Sequence, residues 1–389
     1  MALRDQDNVF HRPELAQSLA DKILHVAVGS AAASGVFLAA PRRTGKSTFV
    51  REDLRPALEA AGALVLYVDL WANPAANPGA VIVGAVRALL AERDGVIQRL
   101  AKRVGLSGMN VAGVQFDLER VGLDRDISLA DALAALSDDT GKMIVLIIDE
   151  AQHAITTAEG SEALFALKAA RDELNSSAHH GLRLVCTGSN RDKLAMLRNG
   201  KDQAFFGAPM VNFPPLAADY IAWFCARVDL PFQLDPSVVL GLFEQAGHRP
   251  EVIYAAADVF RFDFTLDPVA GPARFGNEVK NQIEAMNGEL MKIVHSLTPI
   301  QSAVLRVMAS QGESFAPFEA ATLEMYKRAL VIAEVAESEA RADVPNVQAA
   351  LSALQEKKLV WRAARGVYSL EEQAMAETLQ RSGMLSGLS

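Results

Sequence analysis

The feature that most constrains the fold is an apolar run, Gly35 to Ala39, that passes directly into Ala40-Pro-Arg-Arg-Thr-Gly45-Lys46-Ser47-Thr48. In a turn of this kind successive main-chain N–H groups point inward, and the following helix presents the positive end of its dipole. Glycine lets the backbone approach an anion closely. The pattern [AG]-x4-G-K-[ST] therefore predicts a phosphate-binding turn made by Pro41, Arg42, Arg43, Thr44, Gly45, Lys46, Ser47 and Thr48. Lys46 is expected to reach the β and γ phosphates of a nucleoside triphosphate, and Ser47 to hold Mg2+.

A second motif strengthens this reading. Met143-Ile-Val-Leu-Ile-Ile148 is a continuous apolar run of the kind buried on both faces of a parallel sheet, and it ends in Asp149-Glu150-Ala151-Gln152. The strand before the phosphate turn and this acidic strand are expected to lie side by side, with their C-terminal ends on the edge where open α/β sheets bind ligands. Asp149 is then placed to orient the water shell of Mg2+. Glu150, one residue on, is placed to polarise an attacking water.

The chain of 389 residues exceeds what one hydrophobic core usually supports, so two or three domains are expected. Half of the residues are apolar and 22% are charged, the composition of an ordinary soluble globular protein. The stretch Ile23 to Ala40 runs straight into Arg42 and Arg43 and is better read as a helix end, a loop and a first strand than as a signal or membrane segment. Two cysteines, Cys186 and Cys225, are too few for a disulfide framework, and a cytoplasmic location is expected. Net charge is −9, which argues against binding to nucleic acid driven by overall electrostatics; any DNA contact has to be local.

Apolar periodicity then gives alternating elements. An amphipathic helix carries Leu15, Leu19 and Ile23; another follows the phosphate turn from Thr48 to Ala61; a strand spans Ala63 to Asp69. Beyond a helix from Val81 to Val104, Val111 to Leu118 alternates with period two as a short strand or hairpin would. Helices are expected over Ser128–Leu136 and Ser161–Ser177, a fourth strand at Leu182–Asn190 and a fifth near Met210–Phe213. Such alternation predicts a three-layer α/β domain around a parallel sheet, ending at Pro214-Pro215. The segment to His295 reads as a small lid of helices. From Ile300 onward three helices precede two short strands about a turn at Gly366, the order of a winged helix-turn-helix. The expected division is therefore 1–215, 216–295 and 296–389.

Together these residues resemble the AAA+-like P-loop ATPases of the archaeal-ATPase and origin-recognition group, close to the STAND signalling NTPases. That resemblance implies a P-loop NTPase core, a lid and a C-terminal winged helix, with ATP and Mg2+ as cofactors. Phe10-His-Arg12-Pro-Glu-Leu15 is similar to the entry motif beside the adenine, Pro41 to Lys46 to the phosphate loop, and Asp149 to Gln152 to the acidic strand end. Thr187-Gly188-Ser189-Asn190 falls where the family keeps a polar γ-phosphate sensor; Asn190 is the first choice and Ser189 the alternative. Gly247-His248-Arg249-Pro250 resembles the lid motif, with Arg249 as its phosphate sensor. Phe206-Gly207-Ala208 has alanine where a related pattern carries an arginine that reaches a neighbour's γ-phosphate, which leaves Arg198 as the substitute candidate.

The C-terminal hairpin adds Lys357, Lys358, Arg362 and Arg365 around Trp361, cations that could follow a DNA backbone, whereas the helix before it has no basic residue ahead of Lys357. The resemblance thus implies an ATP-driven conformational switch whose winged helix contacts duplex DNA. The alternative is a STAND-like signalling or defence ATPase that docks a protein partner. ATP or ADP, a homo-oligomer in the ATP-bound state and no membrane are the remaining expectations.

Overall fold

The computed structural model describes residues 9–27, 29–93, 128–176, 179–199, 203–261, 263, 267–333, 341–364, 366–372 and 374–388. Two compact units result: one comprises His11–Ala39 and Ser47–Asn212, the other Met1–Phe10, Ala40–Lys46 and Phe213–Ser389.

The first unit is built on a five-stranded parallel sheet, β1 Val36–Ala39, β2 Leu64–Asp69, β3 Ile144–Asp149, β4 Leu182–Gly188 and β5 Met210–Asn212, in the order β2-β3-β4-β1-β5. Its helices are α1 Pro13–Leu24, α2 Lys46–Phe49, α3 Arg55–Ala60, α4 Pro78–Ala91, α5 Leu129–Thr140, α6 Ala158–Ser176 and α7 Arg191–Ala195. All six residues of β3 are buried, including Asp149, so helices must cover the strand on both faces. The core is thus the three-layer α/β arrangement of a P-loop domain. Local chemistry sets the element ends. Ser128 and Asp131 form a reciprocal capping box on α5, and Gly141, at φ 63°, stops it in the left-handed conformation.

Two expectations are corrected by the topology. β1 and β3 are not neighbours: β4 lies between them, pairing Ala39 with Gly188 on one side and Ile148 with Cys186 on the other. Apolar runs fix that strands are buried and parallel, but a crossover through a helix can skip a position in the sheet. The helix after the phosphate turn is also not continuous. Its middle, Val50–Leu54, widens into a π-turn, and Pro56 explains why: without an N–H it cannot serve the carbonyl four residues back. The alternating stretch Val111–Leu118 and the second half of the Val81–Val104 helix lie outside the described residues.

The second unit contains two hydrophobic cores. In one, α8 Ala218–Arg227, α9 Pro236–Gln245, α10 Pro250–Arg261 and the first turns of α11 Gly271–His295 pack Phe224, Phe243, Ile253, Phe260, Phe275 and Val279. The last turns of α11 carry Leu290 and Val294 into the other core, formed with α12 Pro299–Gln311, α13 Ala320–Ile332, α14 Val344–Glu356, the antiparallel hairpin β6 Val360–Ala364 and β7 Val367–Leu370, and α15 Ala374–Arg381. A 25-residue α11 is therefore shared by both cores. Three helices followed by a hairpin is the order the sequence predicts for a winged helix, and α15 is an addition it did not announce. Among the described residues no helix is long and apolar enough to cross a membrane.

Candidate nucleotide site

The phosphate turn has the backbone that its sequence demands. Gly45 sits at φ 84° and Arg43 at φ 64°, and Thr44 Oγ1 donates to the Pro41 carbonyl at 2.8 Å, closing the turn on itself. Lys46 begins α2 and is buried to 4% exposure; Ser47 is half-buried and Thr48 exposed. The two arginines of the turn are engaged within the second unit. Arg43 Nε lies 3.1 Å from Glu251 Oε2, and Arg249 Nε lies 3.3 Å from the other oxygen of the same carboxylate. One acid thus brings together the turn and the expected lid sensor. Arg42 faces Glu371 and Glu372, just beyond β7, at 3.8 and 3.5 Å.

His248, at φ 55°, accompanies Arg249 and bonds through Nδ1 to the Leu216 carbonyl at 2.9 Å. Phe10 packs edge-on against Tyr220 and Trp223, with ring centroids 5.3 and 5.7 Å away. Arg12 contributes its main chain: its N–H donates to Asp53 Oδ2 at 3.2 Å, and His11 Nδ1 lies 2.7 Å from Oδ1. Asp53 belongs to the π-turn, so this segment is tied to the helix that follows the phosphate turn.

The acidic end of β3 is organised more closely than its sequence suggests. Asp149, 1% exposed, accepts from Tyr67 Oη at 3.0 Å and from Thr187 Oγ1, and its Oδ1 also takes the Glu150 N–H at 3.1 Å. Burial and the neighbouring Asp149 carboxylate push the Tyr67 phenol well above its ordinary range, so it stays a neutral donor. Glu150 occupies the left-handed region at φ 53°, where a long side chain is unfavourable. Its Oε2 accepts from Gln152 Nε2 at 2.5 Å and from Ser189 Oγ at 2.8 Å.

β4 ends between β1 and β3, and this is why Ser189 reaches Glu150. Asn190, 2% exposed, caps α7: its Oδ1 accepts the Lys193 N–H at 3.0 Å. Of the two sensor candidates, Ser189 bonds Glu150 through its hydroxyl and Asn190 caps α7. Arg198 donates through Nε to the Ala208 carbonyl and through Nη1 to Asn199 at 3.1 Å, holding the loop that contains Phe206 and Gly207. In the hairpin, Lys358 and Arg362 are exposed, with Arg362 over the Tyr368 ring at 5.7 Å, and Arg365 lies outside the described residues.

Mg2+ takes hard oxygen donors and keeps several of its waters. A carboxylate with the burial and partners of Asp149, together with the Ser47 hydroxyl, is a donor set of that kind. Tyr67, Thr187, Gln152 and Glu251 escaped the sequence reading. Gln152 and Thr187 lay inside quoted motifs without a role of their own; Tyr67 and Glu251 are ordinary strand and helix residues until the fold brings them together.

Solved structures share the fold over nearly the whole chain. A Walker-type ATPase of Pyrococcus abyssi matches with a TM-score of 0.51 at 16% identity, covering 96% of this chain and 97% of that one. The ORC2 protein of Aeropyrum pernix in its ADP form matches with a TM-score of 0.51 at 14% identity, covering 97% of each. The chain has the fold of an archaeal, origin-recognition-like P-loop ATPase. No family model matches the sequence, and no curated protein does. At these identities the likeness concerns the fold, so the chemistry has to be argued from the site itself.

Proposed function

We propose that this protein binds and hydrolyses Mg·ATP and uses the cycle as a conformational switch. The observation that carries the reading is the end of β3: a buried Asp149 held by Tyr67 and Thr187, followed by Glu150 anchored through one oxygen. A buried carboxylate needs compensation, and the compensation at Asp149 holds its oxygens in place for a cation.

In this reading the amides of Pro41–Lys46 and the Lys46 ammonium bind the β and γ phosphates, with Phe10 and Arg12 in the segment beside the base. Ser47 and Asp149 hold Mg2+, which supplies charge neutralisation on the phosphate oxygens. Glu150 orients the attacking water and accepts its proton. Asn190, whose Oδ1 caps α7, offers its Nδ2 donor to the γ-phosphate, and Arg249 senses phosphate through its exchange with Glu251. Arg198 would have to leave Ala208 and Asn199 to act on a neighbouring subunit, so its assignment here is to its own loop. The division into 1–215, 216–295 and 296–389 describes core, lid and winged helix.

A ligand shifts a conformational equilibrium only through contacts that differ between states. Arg43 and Arg249 share Glu251, and Arg42 faces Glu371 and Glu372. A triphosphate competing for these cations would change lid and wing contacts together. The test is Mg2+-dependent nucleotide binding and turnover by the purified full-length chain. Both should be present in the wild type and lost in Lys46→Ala; absence of any affinity for nucleotide would end this reading.

Two outputs are open to such a switch. Exposed Lys357, Lys358 and Arg362 at the hairpin favour duplex DNA. The uncharged face of α14 favours a protein partner instead, because the side chains there that could read bases are Asn346, Gln348, Ser352 and Gln355, and Gln348 already reaches Tyr368 Oη at 3.3 Å.

A further inference from the structure

We propose that Gln152 is a positioning residue for Glu150: passing over Gly188, its amide fixes the carboxylate that takes the proton of the attacking water. The inference rests on the ATPase reading and deepens it.

Gln152 is 1% exposed and reaches Glu150 Oε2 with its Nε2 at 2.5 Å. Its own Oε1 is buried and has no hydrogen-bond partner among the described residues, a costly arrangement for an amide in a protein interior. Turning the amide over would set that oxygen against the Glu150 carboxylate, acceptor against acceptor, which is worse. The orientation is therefore dictated by Glu150, and the orphaned oxygen is the cost of serving it.

Space for this arrangement comes from Gly188 at the end of β4. A Cβ there would lie 2.5 Å from Gln152 Oε1 and 3.4 Å from Gln152 Cδ, besides meeting Leu194 Cδ1 at 3.1 Å. The backbone of Glu150 adds a third constraint, since φ 53° sends the side chain out of line with the strand that precedes it. Ser189 Oγ bonds the same Oε2 at 2.8 Å. Two donors on one oxygen determine where the second oxygen of the carboxylate points, and a general base acts only if it is aimed at its proton.

The experiment uses the full-length chain and measures steady-state hydrolysis of Mg·ATP, binding of a fluorescent ATP analogue, and melting temperature. Gln152→Met keeps the volume and deletes the donor. Its kcat should fall about a hundred-fold, the order of loss expected from misaiming a catalytic group, while nucleotide Kd stays within about two-fold. Gly188→Ala should reproduce that fall. Gln152→Asn keeps the amide but draws its donor back by one methylene, so its kcat should fall in the same way.

Wild-type kcat in Gln152→Met overturns the positioning role, and so does a loss of kcat matched by an equal loss of nucleotide affinity, which marks a packing role. If Gln152→Met fails to fold, Gln152→Asn decides: wild-type kcat in that variant overturns the proposal. A wild-type chain that binds no nucleotide is a separate result, and it removes the ATPase reading and the positioning role together.

Discussion

A carboxylate as buried as Asp149 survives in a protein interior only if its charge is matched by donors. Tyr67 and Thr187 meet that need from the strands on either side of β3, and the sequence assigned neither of them to Asp149. Tyr67→Phe should raise the Mg2+ concentration needed for half-maximal turnover without abolishing it, which a metal titration of the ATPase rate would measure. Glu150→Gln should lower kcat by about two to four orders of magnitude while bound ATP is retained, as read by rapid quench and nucleotide retention. Cys186 gives a pH signature of its own. Burial pushes its thiol from an ordinary 9.0 up to about 12, so the native state keeps a proton that the unfolded chain gives up. The sign follows: stability from this group is intact below pH 9 and falls as pH rises toward 12, at about 1.4 kcal/mol per pH unit. Denaturant titrations between pH 8 and pH 11 should show this fall, and Cys186→Ala should flatten it.

At the scale of elements, the decisive event is the placing of β4 between β1 and β3. It carries Ser189 and Asn190 to the same sheet edge as Asp149 and Glu150, and gives Gly188 its place beside Gln152. The short helical turn Ala151–Thr156 after Glu150 and the start of α6 are packed backbone to backbone. A Cβ on Gly160 would lie 2.1 Å from the Ala154 carbonyl oxygen. Gly160→Ala should therefore cost about 1–3 kcal/mol of stability through forced displacement, measured by denaturant unfolding without nucleotide. Elements with strong periodicity were legible from the sequence to within a few residues: β3, β4, α5 and α12 are where their apolar spacing puts them. What was not legible was pairing order, because a parallel crossover leaves no mark in the strand it skips. The π-turn before Pro56 belongs to the same class, since a proline announces a break without saying which kind.

At the scale of the whole molecule, the C-terminal hairpin is where the two proposed outputs can be told apart. If the switch acts on duplex DNA, Lys358→Ala combined with Arg362→Ala should weaken binding and reduce the slope of log affinity against log salt by about two. Fluorescence anisotropy at two salt concentrations would show it. An unchanged slope, with ATP turnover intact, would turn attention to a protein partner. Net charge of −9 makes the question one of local placement, because the chain as a whole repels a polyanion.

By itself the sequence determined the chemistry of single loops. Strand, glycine, lysine and hydroxyl in succession predict a turn of inward-pointing amides that suits an anion, and an apolar strand ending in two acids predicts a place on a ligand-binding edge, because short-range backbone geometry underlies both. Tertiary structure alone decided who touches whom. Tyr67 and Thr187 on Asp149, Gln152 and Ser189 on Glu150, and Glu251 shared by two arginines join residues distant in sequence or bent together by an unusual backbone, and no local pattern encodes which of many buried polar groups will meet.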